Sequence, residues 1–500
     1  MAADKIRLAR RQFLKAGAAL GASALLPGMH GGCTIPCYCQ GVVEPPQFYV
    51  QHCTPALGNL TGGRKPNILL VITDQEQADC FLPSTLNRPR LSQWRQSAVH
   101  FTHTFCSSPL CSPSRSSIFT GTFPHQNGMK GNMIYGSRGR PLDPQLPHLG
   151  SVLKSAGYRI GYKGKWDLSK GLGHEDYNVN DRGCASDYGF EGHYGTRTHQ
   201  EIGIEGDGEA VRQAASWIGQ QRKDHPWFLV VGLVNPHDIQ HLYLNPFPNY
   251  IRPDVQLPAS LYDDLVGKPI DQLRNPDLAH FRANMGESGW LKIISYYYHL
   301  IEQTDTHLET LHQALQHNGF LDDTIILYTS DHGEMAGAHG FPFKGWGYEE
   351  DLRVPLYVIH PGLEARTSDS LVSGVDLAPT IASLAGIQGW PAEIPGRDFS
   401  PILRGLAHEG RDSIFAEFID GEYIPGVVDR PGWCVRIVRN RDWKYTFSAD
   451  LYDGQLYNLN EDPHEMNNLF HDPAHLAQRQ ALHMRLQQWR SQTGDLLPCA

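Results

Sequence analysis

The sequence predicts an α/β protein with a mainly parallel central sheet, followed by a smaller C-terminal α+β unit with an antiparallel sheet. Three observations predict it. Asn67–Thr73, Phe228–Val234 and Thr324–Ser330 are continuous apolar runs of strand length. Such runs suit strands buried on both faces, as in parallel sheets. Helical segments lie between them, and strand–helix alternation argues for helices on both faces. Beyond about residue 405 the pattern changes to short strands joined by tight turns.

The elements follow in order. Arg10-Arg11-Gln12-Phe13-Leu14-Lys15 reads as a twin-arginine export motif, and the apolar run Ala16–Leu26 follows it. That run is shorter than the ~20 residues a membrane span needs. Ala22-Ser23-Ala24 is a candidate cleavage site. The expectation is an exported, periplasmic protein with the twin-arginine translocase as a partner, and residues 1–30 are excluded from the fold. Gly31-Gly32-Cys33 offers a lipidation site, against which His30 argues. Residues 31–64 form a Cys/Pro/Gly-rich extension. Cys33, Cys37, Cys39 and Cys53 there suit a disulfide clasp or, by their Cys-x-Cys spacing, a metal.

Residues 65–405 carry the larger α/β domain, with helices at Leu149–Ala156, Glu209–Arg222 and Leu291–His317. In the last, Ile294, Tyr297, Tyr298, Ile301 and Leu308 recur near helical spacing. Residues 406–500 form the C-terminal subdomain. Cys434–Arg439, Trp443–Phe447 and Gln455–Asn458 are its short strands, with turns at 440–442 and 453–454. Ala474–Gln492 is a closing helix. A chain of 500 residues is too long for one core. Its net charge of −10 argues against broad nucleic-acid binding. No later apolar run suits a membrane span, so an integral membrane protein is not expected.

The three apolar strands end in chemically capable residues: Asp74-Gln75, Asn235-Pro236-His237-Asp238 and Asp331-His332-Gly333-Glu334. Ligands of open α/β sheets bind outside the carboxyl ends of strands, so the three endings suggest one site. Asp74, Asp331 and His332 make a divalent-metal set. Carboxylates suit Ca²⁺, Mg²⁺ or Mn²⁺, and the imidazole tilts the choice towards Mn²⁺. Gln75 adds a neutral oxygen. Tyr188, Tyr194, Tyr243 and Trp290 are candidates for an aromatic rim.

Cys111-Ser112-Pro113-Ser114-Arg115, trailed by Thr120-Gly121, is the most specific stretch. Pro113 suits a first helical turn, which puts Cys111 at a helix N-terminus where anions are favoured. The stretch resembles the Cys-x-Pro-x-Arg maturation signature of type I sulfatases. Gly161-Tyr162-Lys163-Gly164-Lys165-Trp166, Asn235-Pro236-His237, and Ser330–Glu334 with His339-Gly340 and Lys344 resemble further family segments. The resemblance runs from about Pro66 to Phe470.

It implies an alkaline-phosphatase-like sandwich and hydrolysis of a small sulfated substrate to sulfate and an alcohol. It implies that a maturation enzyme converts Cys111 to formylglycine, whose hydrate is the nucleophile. One divalent metal is implied, Ca²⁺ first, at Asp74, Gln75, Cys111, Asp331 and His332. Arg115 would hold the modified side chain, Lys165 and Lys344 would neutralise sulfuryl oxygens, and His237 would protonate the leaving alcohol. Asn132 and Asp167 are the substrate-side residues. Two departures bear on substrate class: Gln75 and His332 replace the common Asp and Asn, and the Asp331-His332 pair resembles choline-sulfatase-like and phosphonate monoester hydrolase-like members. In addition, Asp167 stands where the family usually has histidine.

Overall fold

The computed structural model describes residues 64–133, 140–169, 185, 187–194, 203–240, 250–269, 272, 281, 285–407, 410–419, 434–448 and 453–495. The twin-arginine segment and Cys33, Cys37, Cys39 and Cys53 lie outside them. The described residues all belong to one compact unit.

Eight strands make the main sheet: β1 (Asn67–Asp74), β2 (Ala98–Phe105), β3 (Arg159–Gly164), β4 (Glu191–Tyr194), β5 (Trp227–Pro236), β6 (Thr324–Ser330), β7 (Arg353–Ile359) and β8 (Arg366–Ser373). Their order is β4-β3-β5-β1-β6-β7-β2-β8. The three apolar runs are thus the adjacent central strands β5, β1 and β6, mutually parallel and buried along their whole length. Only β7 runs against its neighbours.

Alternate residues of β1 feed two cores. Leu69 and Val71 pack with Val211, Ala214, Leu308 and Leu311 of helices Gly203–Gly219 and Gly286–His317. Ile68 and Leu70 share the opposite core with Ile118, Leu149 and Ile381 of helices Cys111–Thr120, Leu149–Ser155 and Leu377–Leu384. The expected helices 209–222 and 291–317 begin earlier, at Gly203 and Gly286, and the first ends at Gly219.

Strands β2, β7 and β8 were not expected from hydrophobic runs. The outer half of β8 is polar and partly exposed, as an edge strand permits. Strand β7 contains Pro355, which has no N–H for a ladder. The ladder with β6 stops at Leu356, and β2 has a register shift between Phe101 and Thr104 opposite the proline. Arg353 Nε donates to Thr102 O at 2.7 Å within that irregularity.

The second sheet is antiparallel, in the order β12-β11-β10-β9, from β9 (Ile414–Ile419), β10 (Cys434–Arg439), β11 (Trp443–Ser448) and β12 (Asp453–Asn458). The turn at 440–442 closes through Trp443 N donating to Asn440 Oδ1 at 2.7 Å. Helix Leu476–Thr493 buries Leu482, Leu486 and Trp489 against Phe415, Val438 and Tyr445. No helix among the described residues is long and apolar enough to cross a membrane.

The second sheet grips a loop of the first. Buried Lys444 pairs with Glu465 and donates to Gly347 O at 2.7 Å. Glu465 Oε2 in turn accepts from Glu349 N at 2.8 Å. Removing one partner of a buried pair leaves an uncompensated charge and costs about 3–5 kcal/mol. Lys444→Met is therefore expected to lose about that much stability, and Lys444→Met/Glu465→Leu distinctly less. Urea unfolding followed by tryptophan fluorescence checks the difference.

Candidate active site

The parallel register brings the carboxylates together. Thr73 is paired with Ser330, so Asp74 and Asp331, one residue later on each strand, emerge side by side. Asp331 N donates to Thr73 O at 3.1 Å, while Asp331 Oδ1 accepts from Gln75 N at 3.2 Å and His332 N at 2.9 Å. Both carboxylates are fully buried.

Cys111 is the first residue of helix Cys111–Thr120, all of it buried. Asn132 Oδ1 accepts from Ser112 N at 3.0 Å, and Ser112 Oγ accepts from Met133 N at 2.9 Å. Asn132 thus fixes the helix start rather than only facing a substrate. One turn along, Arg115 reaches both strand ends. Its Nε donates to Asp331 Oδ2 at 2.8 Å, Nη2 to Asp74 Oδ2 at 3.4 Å and Nη1 to Lys165 O at 3.0 Å. The guanidinium thus holds the two carboxylates that flank Cys111.

Lys165 follows β3 at a close approach. Its N–H donates to Gly232 O at 2.8 Å. Gly164 has φ +94°, and a Cβ there would lie 2.0 Å from Gly232 O, so only glycine fits. Lys165 Nζ sits 2.7 Å from Asp74 Oδ2 and 3.2 Å from Asp167 Oδ2. Burial alone would lower its pKa, but Asp167 and Asp74 hold it well above the usual lysine range.

Lys344 comes from the loop between β6 and β7. Its Nζ donates to Cys111 Sγ at 3.0 Å and Gln75 Oε1 at 2.7 Å. Gln75 Oε1 also accepts from Gln240 Nε2 at 2.9 Å, so this oxygen faces Lys344 and Gln240. His332 Nδ1 lies 2.9 Å from Gly333 O, which fixes the proton there and leaves the Nε2 lone pair 3.3 Å from Cys111 Sγ. His237 is buried just past β5 and near enough to Asp74 to help lower its pKa.

Three supporting groups were not expected from sequence. Asp207 receives Val234 N at 2.6 Å and Asn235 N at 2.9 Å, securing the strand end before His237. Asp351 Oδ2 receives Gly345 N at 2.9 Å, Trp346 N at 2.6 Å and Gly347 N at 3.2 Å, shaping the loop of Lys344. Glu334, just past β6, binds Gln75 Nε2. A buried carboxylate on a helix carries no spacing signal, so Asp207 was not legible. Of the rim candidates, Trp290 is buried in a core, and Tyr188 packs 5.1 Å from Trp166. Tyr243 and the side chain of Tyr194 lie outside the described residues.

Asp74, Cys111, Asp331 and His332 present ligand atoms all within 4.8 Å of one another. Burial and then Asp74 push the Asp331 carboxyl up to about 7. Burial would also raise Asp74, but Lys165 and Lys344 hold it well below the usual range. Two adjacent carboxylates and an imidazole lone pair fit a divalent cation.

Residues 66–387 match the sulfatase family, and residues 337–492 match the C-terminal region of N-sulphoglucosamine sulphohydrolase. The chain belongs to the sulfatase family. As such it is a hydrolase of sulfate esters in the alkaline phosphatase-like superfamily. It is 27% identical over 471 residues to the uncharacterized sulfatase YidJ of Escherichia coli, covering 86% of this chain and 88% of that one. It is 27% identical over 457 residues to choline-sulfatase of Rhizobium meliloti, covering 82% and 83%.

Two solved structures share the fold. BT4656 in complex with its substrate D-glucosamine-2-N,6-O-disulfate has a TM-score of 0.72 at 20% identity, covering 87% of this chain and 99% of that one. The phosphonate monoester hydrolase of Agrobacterium radiobacter has 0.69 at 22%, covering 86% and 96%.

A cation that binds only the folded sulfatase stabilises it, by about 2.7 kcal/mol at a hundred times its Kd. Adding Ca²⁺, Mn²⁺ or Mg²⁺ to chelated protein should raise its thermal midpoint. Asp331→Asn should remove most of that rise, as read by scanning calorimetry.

Proposed function

We propose that the chain cleaves a sulfate monoester with an oxygen nucleophile at position 111. The observation that carries this is the state of Cys111. Its sulfur lies 3.0 Å from Lys344 Nζ, yet burial and then Asp74 push the thiol up to about 12. A reactive cysteine needs a lowered pKa, so the encoded thiol is a poor nucleophile at the centre of a charged site. Formylglycine made from Cys111 by a maturation enzyme supplies, as its hydrate, an attacking oxygen and a second hydroxyl for release. A divalent cation held by Asp74, Asp331 and His332, with Ca²⁺ ahead of Mn²⁺ and Mg²⁺, would supply charge stabilisation at the transferring group.

The chain's own residues do the rest. Lys165 and Lys344 meet the charge that grows on the sulfuryl oxygens, an arrangement fixed before the reaction begins. Arg115 keeps the two carboxylates in place. His237 hands a proton to the leaving alcohol. Cleavage of phosphonate monoesters is the second reading, favoured by the Asp331-His332 pair and by the shared fold with the phosphonate monoester hydrolase.

Mass spectrometry of the tryptic peptide Gln96–Arg115 from the native host is expected to find the aldehyde at Cys111 and not at Cys106. The same preparation should turn over an aryl sulfate faster than a phosphonate monoester. Unmodified Cys111 in active protein would sink the mechanism.

The protein is further proposed to reach the periplasm folded and already matured, on the strength of Arg10-Arg11 and the apolar run behind them. Replacing both arginines by lysine should leave the protein in the cytoplasmic fraction, as immunoblotting would show.

A further inference from the structure

We propose that Asp167 is a specificity-determining residue that acts through Lys165: its carboxylate disfavours dianionic esters relative to monoanionic ones. This rests on the reading of the site as one that binds a sulfuryl-like group. Three features of residue 167 converge. Its neighbour Trp166 is anchored in an aromatic cluster, edge-on to Tyr162 at 4.8 Å and to Phe190 at 5.7 Å. Lys165 and Asp167, flanking that anchor, share an ion pair at the site. Asp167 also has φ 54°, a left-handed conformation uncommon outside glycine, though aspartate and asparagine visit it more readily. Strain of that kind gathers at functional positions.

The carboxylate has one ion pair and no hydrogen bond among the described residues, to Lys165 Nζ at 3.2 Å. It caps no helix and closes no turn there. What it contributes is charge. Lys165 already faces Asp74 at 2.7 Å, so the ammonium lies between two carboxylates. Among the buried groups of the site, Arg115, Lys165 and Lys344 face the carboxylates of Asp74, Asp331, Asp167 and Glu334. Without Asp167 the protein groups would carry one net positive charge more.

Sulfate and phosphate monoesters present similar tetrahedral groups but differ by one charge above the second phosphate pKa of about 6. One charge added or removed a few ångströms away, in a poorly screened site, changes affinity by about tenfold or more. Asp167 therefore opposes the second negative charge without altering the shape of the pocket.

Benzenesulfonate and phenylphosphonate carry one and two charges at about pH 8.5, and neither contains an ester to cleave. Their affinities are to be measured by calorimetry on the matured, metal-loaded protein, wild type and Asp167→Asn. Asparagine tolerates the left-handed backbone and can still meet Lys165. The expected result is a shift of the affinity ratio towards phenylphosphonate by about tenfold or more, with Asp167→Glu returning it towards wild type.

A ratio changed by less than about twofold overturns the proposal. Should Asp167→Asn fold poorly, Asp167→Ser reads the same ratio. If wild type binds neither probe, the reading of the site fails; if it binds both and the ratio stays put, only the role of Asp167 fails.

Discussion

Two carboxylates buried side by side repel each other, and the register of β1 and β6 leaves Asp74 and Asp331 no other place. The structure answers with Arg115, fixed on a fully buried helix and bonded to both at 2.8 and 3.4 Å. Desolvating three charges is expensive, and hydrogen bonds to the remaining lone pairs must offset it. Asp331 accepts two backbone N–H groups besides Arg115, while Lys165 and Lys344 approach Asp74 from two sides. Each cation comes from a different part of the chain. The site therefore exists only when β3, the 111–120 helix and the loop after β6 are all docked.

That dependence explains where the supporting groups lie. Lys344 stands on a loop that has no strand to stiffen it. Asp351 gathers three of its backbone N–H groups on one carboxylate oxygen. On the other side Lys444 and Glu465, from the C-terminal part of the chain, hold Gly347 and Glu349. The small sheet is thus tied to the geometry of the large one through a short path of hydrogen bonds, although it supplies no described group that touches Cys111.

Much of this was legible from residue pattern, for a physical reason. Strands β1, β5 and β6 are buried on both faces, so each reads as an unbroken apolar run, and the polar residues ending each run stand out. The site was visible because it lies at those ends. Strands β2 and β8 are partly exposed, and β7 carries Pro355, so none gives the same signal. Asp207 and Asp351 were illegible as well: their partners are backbone N–H groups, which every sequence position has. Arg115 and Gln75 were found as residues, but their hydrogen-bond partners were not, because a motif gives proximity without saying which neighbour a long side chain will choose.

The position of Cys111 follows from the same charge arrangement. Burial first, and then the neighbouring charge of Asp74, make the Cys111 thiol keep its proton, and the nearby lysines do not fully compensate. His332 leaves a lone pair, not a proton, facing that position. The protein groups around Cys111 thus hold the encoded thiol protonated at the residue to which the whole site is directed.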